Sequence, residues 1–274
     1  MADVVHDLQA SPAAASRPVV FRGGLFVPRT HRLIGFAALV ALILLWEAAS
    51  SLGWVSPVLA PSPGEVIDAL WRMALSGELA THLSASLLRL AGGFAIGVMA
   101  GIAFGMAIGL SSLVRSPGAT LVAALFPIPK IALLPLFILW FGIGESSKVA
   151  TIAFGTFFPT VIATYGAVDN VDRSLVRMGR SFGLSSFAII SKIILPGALP
   201  GILSGLRIAS SIGIVLLIAA EMIGANEGVG AMVLAAGNLM QSDRLLAGVV
   251  VLSLLGLAVS GLIGAIEKRL LAWR

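Results

Sequence analysis

The chain is predicted to be an all-α, polytopic membrane helical bundle with about six transmembrane helices and a polar helix-turn-helix outside the bilayer. Three observations predict it. Of 274 residues, 58% are hydrophobic and 11% charged, whereas a soluble domain carries about 25% charged residues. The apolar residues gather into six runs, Leu33 to Leu52, Leu83 to Leu110, Thr120 to Phe141, Val149 to Val168, Leu199 to Gly224 and Leu245 to Ile266. Each can supply the roughly 20 residues needed to cross hydrocarbon. Lys and Arg are also distributed asymmetrically: with the N-terminus inside, twelve fall in inner segments (Arg17, Arg22, Arg29, Arg32, Arg115, Arg173, Arg177, Arg180, Lys192, Lys268, Arg269, Arg274) and three in outer ones (Arg72, Lys148, Arg244). Positive loops stay cytoplasmic, so both termini are expected inside.

The same composition excludes several function classes. A net charge of +5 would suit nucleic acid only if the basic residues shared a solvated face, and here they flank apolar runs. There are no cysteines, and His6, His31 and His82 are too scattered to pair as metal ligands, so all three read as surface residues. No histidine, carboxylate and serine share a motif, and no Gly-rich loop ends in Gly-Lys-Ser/Thr. The chain is therefore expected to carry no catalytic set, no metal and no cofactor, ATP included.

Residues 1–32 read as a mobile polar tail, and residues 33–274 as the transmembrane domain. The run from Leu33 outlasts the apolar core of a cleaved signal peptide and is kept as the first span. After it, Pro57, Pro61, Pro63 and Gly64 break the chain before a short helix over Glu65 to Ser76, with Val66, Ala69, Leu70 and Met73 on one face. It either lies along the outer membrane surface or packs on the protein's own outer loops.

The second span carries Gly93, Gly97, Gly101, Gly105 and Gly109 at four-residue spacing. That spacing makes one stripe on which another backbone can approach closely, within the subunit or from a second copy. The third span contains Pro127, Pro129 and Pro135 and must kink. Broken backbone at membrane depth is tolerated where it lines a cavity or is buried in protein, so Pro127, Pro129 and Lys130 are candidate pathway residues. At 1.5 Å per residue from Thr120, Lys130 falls about 15 Å deep, near the midplane. Two readings stand for it: attraction of an anion, or an internal pair with Glu47 or Glu221. Arg89 and Arg207 lie nearer span ends, where long side chains snorkel.

The stretch from about 169 to 196 is polar and helical. Leu175, Met178 and Phe182 line one side of a first helix and Arg173, Arg177 and Arg180 the other. Gly183 supplies a left-handed helix end, and Ser185 can cap a second helix through Phe187, Ile190 and Ile194 that runs until Pro196. Its apolar knobs suit docking into a cytoplasmic partner; the alternative is a loop folded onto its own bundle.

Several motifs here resemble the permease subunits of bacterial binding-protein-dependent ABC importers, specifically the nitrate, sulfonate, taurine and bicarbonate group. In that family the cytoplasmic loop reads Glu-Ala-Ala, three residues, Gly, and about nine residues later Ile-x-Leu-Pro, matched by Gly183 and by Ile193-Ile194-Leu195-Pro196. Pro61-Ser62-Pro63, the segment from Pro127 to Glu145, Pro196 to Arg207, and Glu221 to Ala225 add to the likeness, which runs from Leu33 to the C-terminus. One departure stands out: Arg177, Met178 and Gly179 occupy the Glu-Ala-Ala positions, so the contact made by that Glu cannot be carried over.

The resemblance implies a permease for a small anionic solute in the bacterial inner membrane. It implies two cytoplasmic ATPase subunits that bind ATP and Mg, a second permease copy forming a homodimer, a periplasmic solute-binding protein and surrounding lipid. Leu175, Arg177, Met178, Phe182, Gly183, Leu195 and Pro196 would then form the ATPase-coupling loop, and Glu221 would join the pathway residues. The rival reading is a secondary carrier driven by an ion gradient; such carriers often show two similar halves, and no convincing repeat is visible. Topology is testable directly. With Ser76 or Ser174 replaced singly by cysteine, position 76 should react with an impermeant thiol reagent on intact cells and position 174 only after lysis; the reverse pattern would invert the orientation.

Overall fold

The computed structural model describes residues 32–56 and 58–273. Residues 1–31 of the polar tail, with His6 and His31, lie outside the described residues, as do Pro57 and Arg274. Every regular element among the described residues is helical: α1 (Arg32–Ser51), α2 (Pro63–Leu75), α3 (Glu78–Leu110), α4 (Ser112–Leu125), α5 (Leu134–Phe141), α6 (Glu145–Asp169), α7 (Arg173–Ser181), α8 (Ser186–Ile189), α9 (Leu195–Gly224), α10 (Val229–Asn238) and α11 (Ser242–Leu270). A short 3-10 turn, Lys130–Leu133, precedes α5, and a π turn, Ile190–Ile194, joins α8 to α9.

Five of the six apolar runs become continuous helix, and the third is interrupted at residues 126–129. Five helical segments are long and apolar enough to span a bilayer, and α4 with Lys130–Phe141 makes a sixth that is bent by 88°. The chain forms two units, one ending at Leu45 and one running from Trp46. The described part of the first is the apolar N-terminal portion of α1.

In the second unit α6 is central, packed between α3 and α9. The glycine stripe explains the α3 contact, because it meets α6 of the same chain. A Cβ on Gly93 would lie 2.6 Å from Ile152 Cβ, one on Gly101 2.7 Å from Thr160 Cβ, one on Gly105 2.6 Å from Thr164 Cβ, and one on Gly109 2.7 Å from Val168 Cγ1. Gly97 runs beneath Thr156 and the carbonyl of Ala153. Thr156, Thr160 and Thr164 turn their hydroxyls back to carbonyls in their own helix at 2.9, 2.7 and 2.7 Å. No unpaired donor therefore enters the seam. The α9 side uses the same device, with Gly201 against Ala167, Gly205 against Ala163 and Gly155 against Leu216.

Helix α2 begins with a reciprocal capping box in which Glu65 N donates to Ser62 Oγ (3.2 Å) and Ser62 N to Glu65 Oε2 (2.8 Å). Its buried Val66, Ala69 and Met73 pack on Val229 and Met232 of α10 and on Ala247 and Val251 of α11. It thus docks on the bundle through its inner face, while Ile67, Trp71 and Leu75 are exposed at four-residue spacing opposite. The apolar α10 falls in a segment expected to be an outer loop.

The helix expected to stop at Pro196 does not stop there. Ser186 to Gly224 runs on for 39 residues, because a proline within the first turn of α9 is preceded by the π turn, in which Leu195 N bonds Ile190 O. The wider turn makes room for the ring at the point where a straight α-helix would clash.

The α3–α6 seam has no space for a side chain, so Gly101→Val should overpack it, at a cost of about 1–3 kcal/mol or more. The expected readout is a clearly lowered Tm for the detergent-purified chain, with Gly35→Val, whose Cβ meets nothing within 4 Å, close to wild type; equal Tm for both would remove the seam's role.

Candidate functional site

The broken third span is built by its prolines. Pro127 cannot donate to α4, Pro129 takes an extended conformation (φ −63°, ψ 108°) as the cap of the 3-10 turn, and Pro135 lies in the first turn of α5, where no donor is needed. The carbonyls thereby freed at the end of α4 are met by Lys130, whose Nζ donates to Leu125 O at 3.3 Å and also to Phe126 O. The ammonium lies 5.0 Å from the ring centre of Phe126 and 4.9 Å from that of Phe158. A cation at a helix C-terminus between aromatic faces is favourable on both counts. Lys130, Pro129 and Ile128 line an open cavity of about 490 Å³ whose other wall is Ser211, Val215 and Leu216 of α9.

Lys130 does not pair with Glu47 or Glu221. The depth count assumed one straight helix, whereas the backbone turns by 88° here, and Glu221 is taken by another cation. Pro127 is exposed beside Phe126 and does not line the cavity.

That other cation is Arg89. Its Nη1 donates to Glu221 Oε1 (2.8 Å) and to the carbonyl of Glu227 (2.6 Å), and its Nε and Nη2 grip Glu145 Oε2 and Oε1 (2.5 and 2.8 Å). Ser86 Oγ donates to Glu221 Oε1 at 2.7 Å and accepts from Val229 N at 2.9 Å, while Gly230 N donates to Glu221 Oε2 at 2.9 Å. Gly228 N donates to His82 Nδ1 (3.0 Å), so His82 is an internal acceptor rather than a surface residue. Lys148 Nζ donates to Gly144 O (3.0 Å) and lies 3.8 Å from Glu145 Oε1. Arg89, Lys148, Ser86 and Glu221 are buried, Glu221 completely, and Glu145 is 64% exposed along its side chain. The cluster joins α3, α6, α9 and α10 at one end of the bundle. Arg207, the third cation within a span, pairs instead with Glu267 of α11 at 2.7 Å.

In the polar loop, Asp172 caps α7 by accepting from Ser174 N at 2.8 Å. That bond holds its carboxyl below the usual carboxylate range. The resulting stabilisation of the helix start is present at neutral pH and is lost as pH falls through the lowered value. Gly183 has φ +74° with open space around it, so its backbone conformation, not crowding, calls for glycine. Ser185 Oγ accepts from Ala188 N at 3.2 Å and starts α8. Gly179 is buried beneath Leu184, Ile189 and Ile193, which fixes the two helices against each other. Exposed on the surface stand Leu175, Met178, Phe182 (78%) and Phe187 (79%), together with Arg173, Arg177 and Arg180. Leu195 and Pro196 belong to the continuing helix.

Removing one partner of a buried pair leaves a stranded charge, at about 3–5 kcal/mol. Arg89→Ala should therefore lower the Tm of the purified chain sharply, and Glu221→Gln added to it should recover part of the loss. A wild-type Tm for Arg89→Ala would show that the pair does not hold the helices together.

Residues 93–272 match the family described as binding-protein-dependent transport system inner membrane component. The chain is 40% identical over 234 residues, 85% of its own length and 89% of the other, to the putative aliphatic sulfonates transport permease protein SsuC of Escherichia coli K12. It is 35% identical to the taurine transport system permease protein TauC of the same strain, over 88% of this chain and 89% of that one. Among solved structures, an inward-facing MetNI methionine ABC transporter matches with TM-score 0.56 at 22% identity, covering 72% of this chain and 95% of that one, a likeness of fold. With a helical bundle, a bent span and a knob-bearing helix-turn-helix in place, the chain belongs to the family of inner-membrane permease components of binding-protein-dependent ABC transporters.

Proposed function

We propose that this permease carries an aliphatic sulfonate or taurine inward across the inner membrane, with both termini cytoplasmic. Two partner ATPase subunits bind and hydrolyse ATP with Mg, and a second copy of this chain completes the pathway opposite a periplasmic solute-binding protein. The observation that carries the reading is 40% identity, along 85% of the chain, to a permease named for aliphatic sulfonates. The helix-turn-helix supports the coupling role. Its exposed arginines suit a surface in water, and large apolar side chains exposed in water mark a contact with another protein. Leu175, Met178, Phe182 and Phe187 are such a set. ATP binding closes the ATPase pair, the docked loops move with it, and the bundle exchanges inward-facing for outward-facing states.

The cavity beside Lys130 supports a pathway position for the broken span. With its ammonium held by carbonyls and aromatic rings, Lys130 adds positive potential to an otherwise apolar wall. A monoanion is drawn to such a wall without being trapped by a full set of donors.

Reconstituted with its ATPase and binding protein, the chain should take up labelled taurine or ethanesulfonate only with ATP inside the vesicle compartment that holds the ATPase. Uptake by the chain alone under an ion gradient would make it a secondary carrier instead. Within the assembled complex, Phe182→Ala with Phe187→Ala should lower solute-stimulated ATP hydrolysis at least several-fold, and Gly183→Val should lower the amount of co-purified ATPase. Unchanged stimulation in the double variant would place the docking surface elsewhere.

A further inference from the structure

We propose that Arg89 and Lys148 form an oxyanion-binding site at the outer end of the bundle, which Glu145 fills with its own carboxylate until an arriving sulfonate displaces it. The proposal rests on the sulfonate reading for its ligand class and on the ion cluster for its geometry.

The members of the cluster are not equivalent. Glu221 is fully buried and holds Arg89 from inside through Nη1, and it is itself fixed by Ser86 Oγ and Gly230 N. The Nη1 edge of Arg89 is completed by the carbonyl of Glu227. Nothing in that half can be exchanged without stranding a buried carboxylate. The other edge, Nε with Nη2, is the fork that takes two oxygens of one planar or tetrahedral oxyanion. Here both oxygens come from Glu145, the one acidic side chain of the cluster that is largely exposed.

Charge balance points the same way. Arg89 and Lys148 against Glu145 and Glu221 is neutral. When Glu145 swings out, two cations and one carboxylate remain, a net charge of +1 that matches a single sulfonate. Lys148 is suited to the exchange, since its ammonium is buried and its remaining protein acceptor is the carbonyl of Gly144. A third sulfonate oxygen has a donor there that the two oxygens of Glu145 do not fully occupy, at 3.8 Å. The site opens onto a cavity of about 480 Å³ lined by Ser84, Leu88, Arg89, Glu145, Val149 and Glu227, which has room for a short alkyl sulfonate. In the proposed orientation this cavity faces the side from which the binding protein delivers solute.

A built-in competing carboxylate keeps affinity low and exchange fast. It also couples arrival of the solute to release of the α3–α6 tie, because Glu145 is the residue through which α6 holds Arg89 of α3.

The test is direct binding of ethanesulfonate to the full-length chain in nanodiscs without its partners, followed by isothermal titration calorimetry. Glu145→Gln should bind at least tenfold more tightly than wild type, and Glu145→Asp, which retains a carboxylate, should stay within threefold of it. Adding Lys148→Gln to Glu145→Gln should abolish the gain. Equal affinities for wild type and Glu145→Gln, with Tm unchanged, would overturn the proposal. So would a gain present in phosphatidylcholine discs and lost in phosphatidylglycerol discs, since a lipid phosphate would then own the site. Uptake by the reconstituted complex separates the two readings: if wild type fails to import any sulfonate while Glu145→Gln still shows the gain, the oxyanion site stands and the transport assignment falls.

Discussion

The close approach of α3 and α6 is the constraint on which the remainder of the bundle depends. Lipid tails are as apolar as leucine, so helices in a bilayer gain little from hiding apolar side chains and must instead bring backbones together. Five glycines at four-residue spacing allow this on α3, and threonines whose hydroxyls are satisfied within their own helix present compact surfaces on α6. The opposite side of α6 meets α9 through Gly155, Ala163 and Ala167 in the same manner. Three helices are thereby stacked with small residues at both interfaces. The register of that stack also places Arg89, one turn before Gly93, beside Glu145 at the start of α6 and Glu221 near the end of α9.

A second constraint is satisfaction of polar groups away from water. Among the described residues, no buried side-chain nitrogen or oxygen lacks a hydrogen-bond partner. Two of the cations within the spans solve this differently. Lys130 is held by the carbonyls that its own broken helix releases, a local solution needing no carboxylate. Arg89 is held by carboxylates from two other helices and by a loop carbonyl, a tertiary solution that ties four elements. The first leaves a cation beside an open cavity and the second ties four elements together, so the two charges have different consequences although both follow from one penalty.

The parts of this architecture that were legible in the sequence are the local ones. Six apolar runs, the glycine period, the proline break, the left-handed turn at Gly183 and the Ser185 cap each depend on residues within a few positions of one another. The glycine stripe could be read as a contact face, and the matching signal for its partner was Thr156, Thr160 and Thr164, which repeat at the same four-residue spacing and went unread. The ion cluster was not legible. Arg89 pairs with residues 56 and 132 positions away, and a count along one helix drew attention instead to Lys130, read as attracting an anion or pairing with Glu47 or Glu221. The available signal was that Arg89, Glu145 and Glu221 each stand within about three turns of a span boundary at the same end. Pro196 misled for a different reason: proline forbids a regular turn before it, and a π turn is not regular.

The continuity of α9 across that proline links the polar helix-turn-helix to the ion cluster. From Ser186 to Gly224 the helix spans 39 residues, about 58 Å at 1.5 Å per residue. Its first turns carry the exposed Phe187 of the helix-turn-helix, and its last carries Glu221, fully buried against Arg89. A helix is stiff along its axis, so motion of the loop bears on the ion cluster through one covalent rod rather than through a chain of side-chain contacts. Where the rod can bend is also defined, at the π turn and at Pro200, both near the loop end. The remaining length is packed on α6 through Gly201, Gly205 and Gly213. A displacement of the loop is therefore either absorbed at that joint or passed to α9 and α6 together. Passing it on shifts the two carboxylates that hold Arg89, one on each helix, relative to α3. The grip on Arg89 is where such a shift is felt, because Glu145 is carried on α6 and Glu221 on α9.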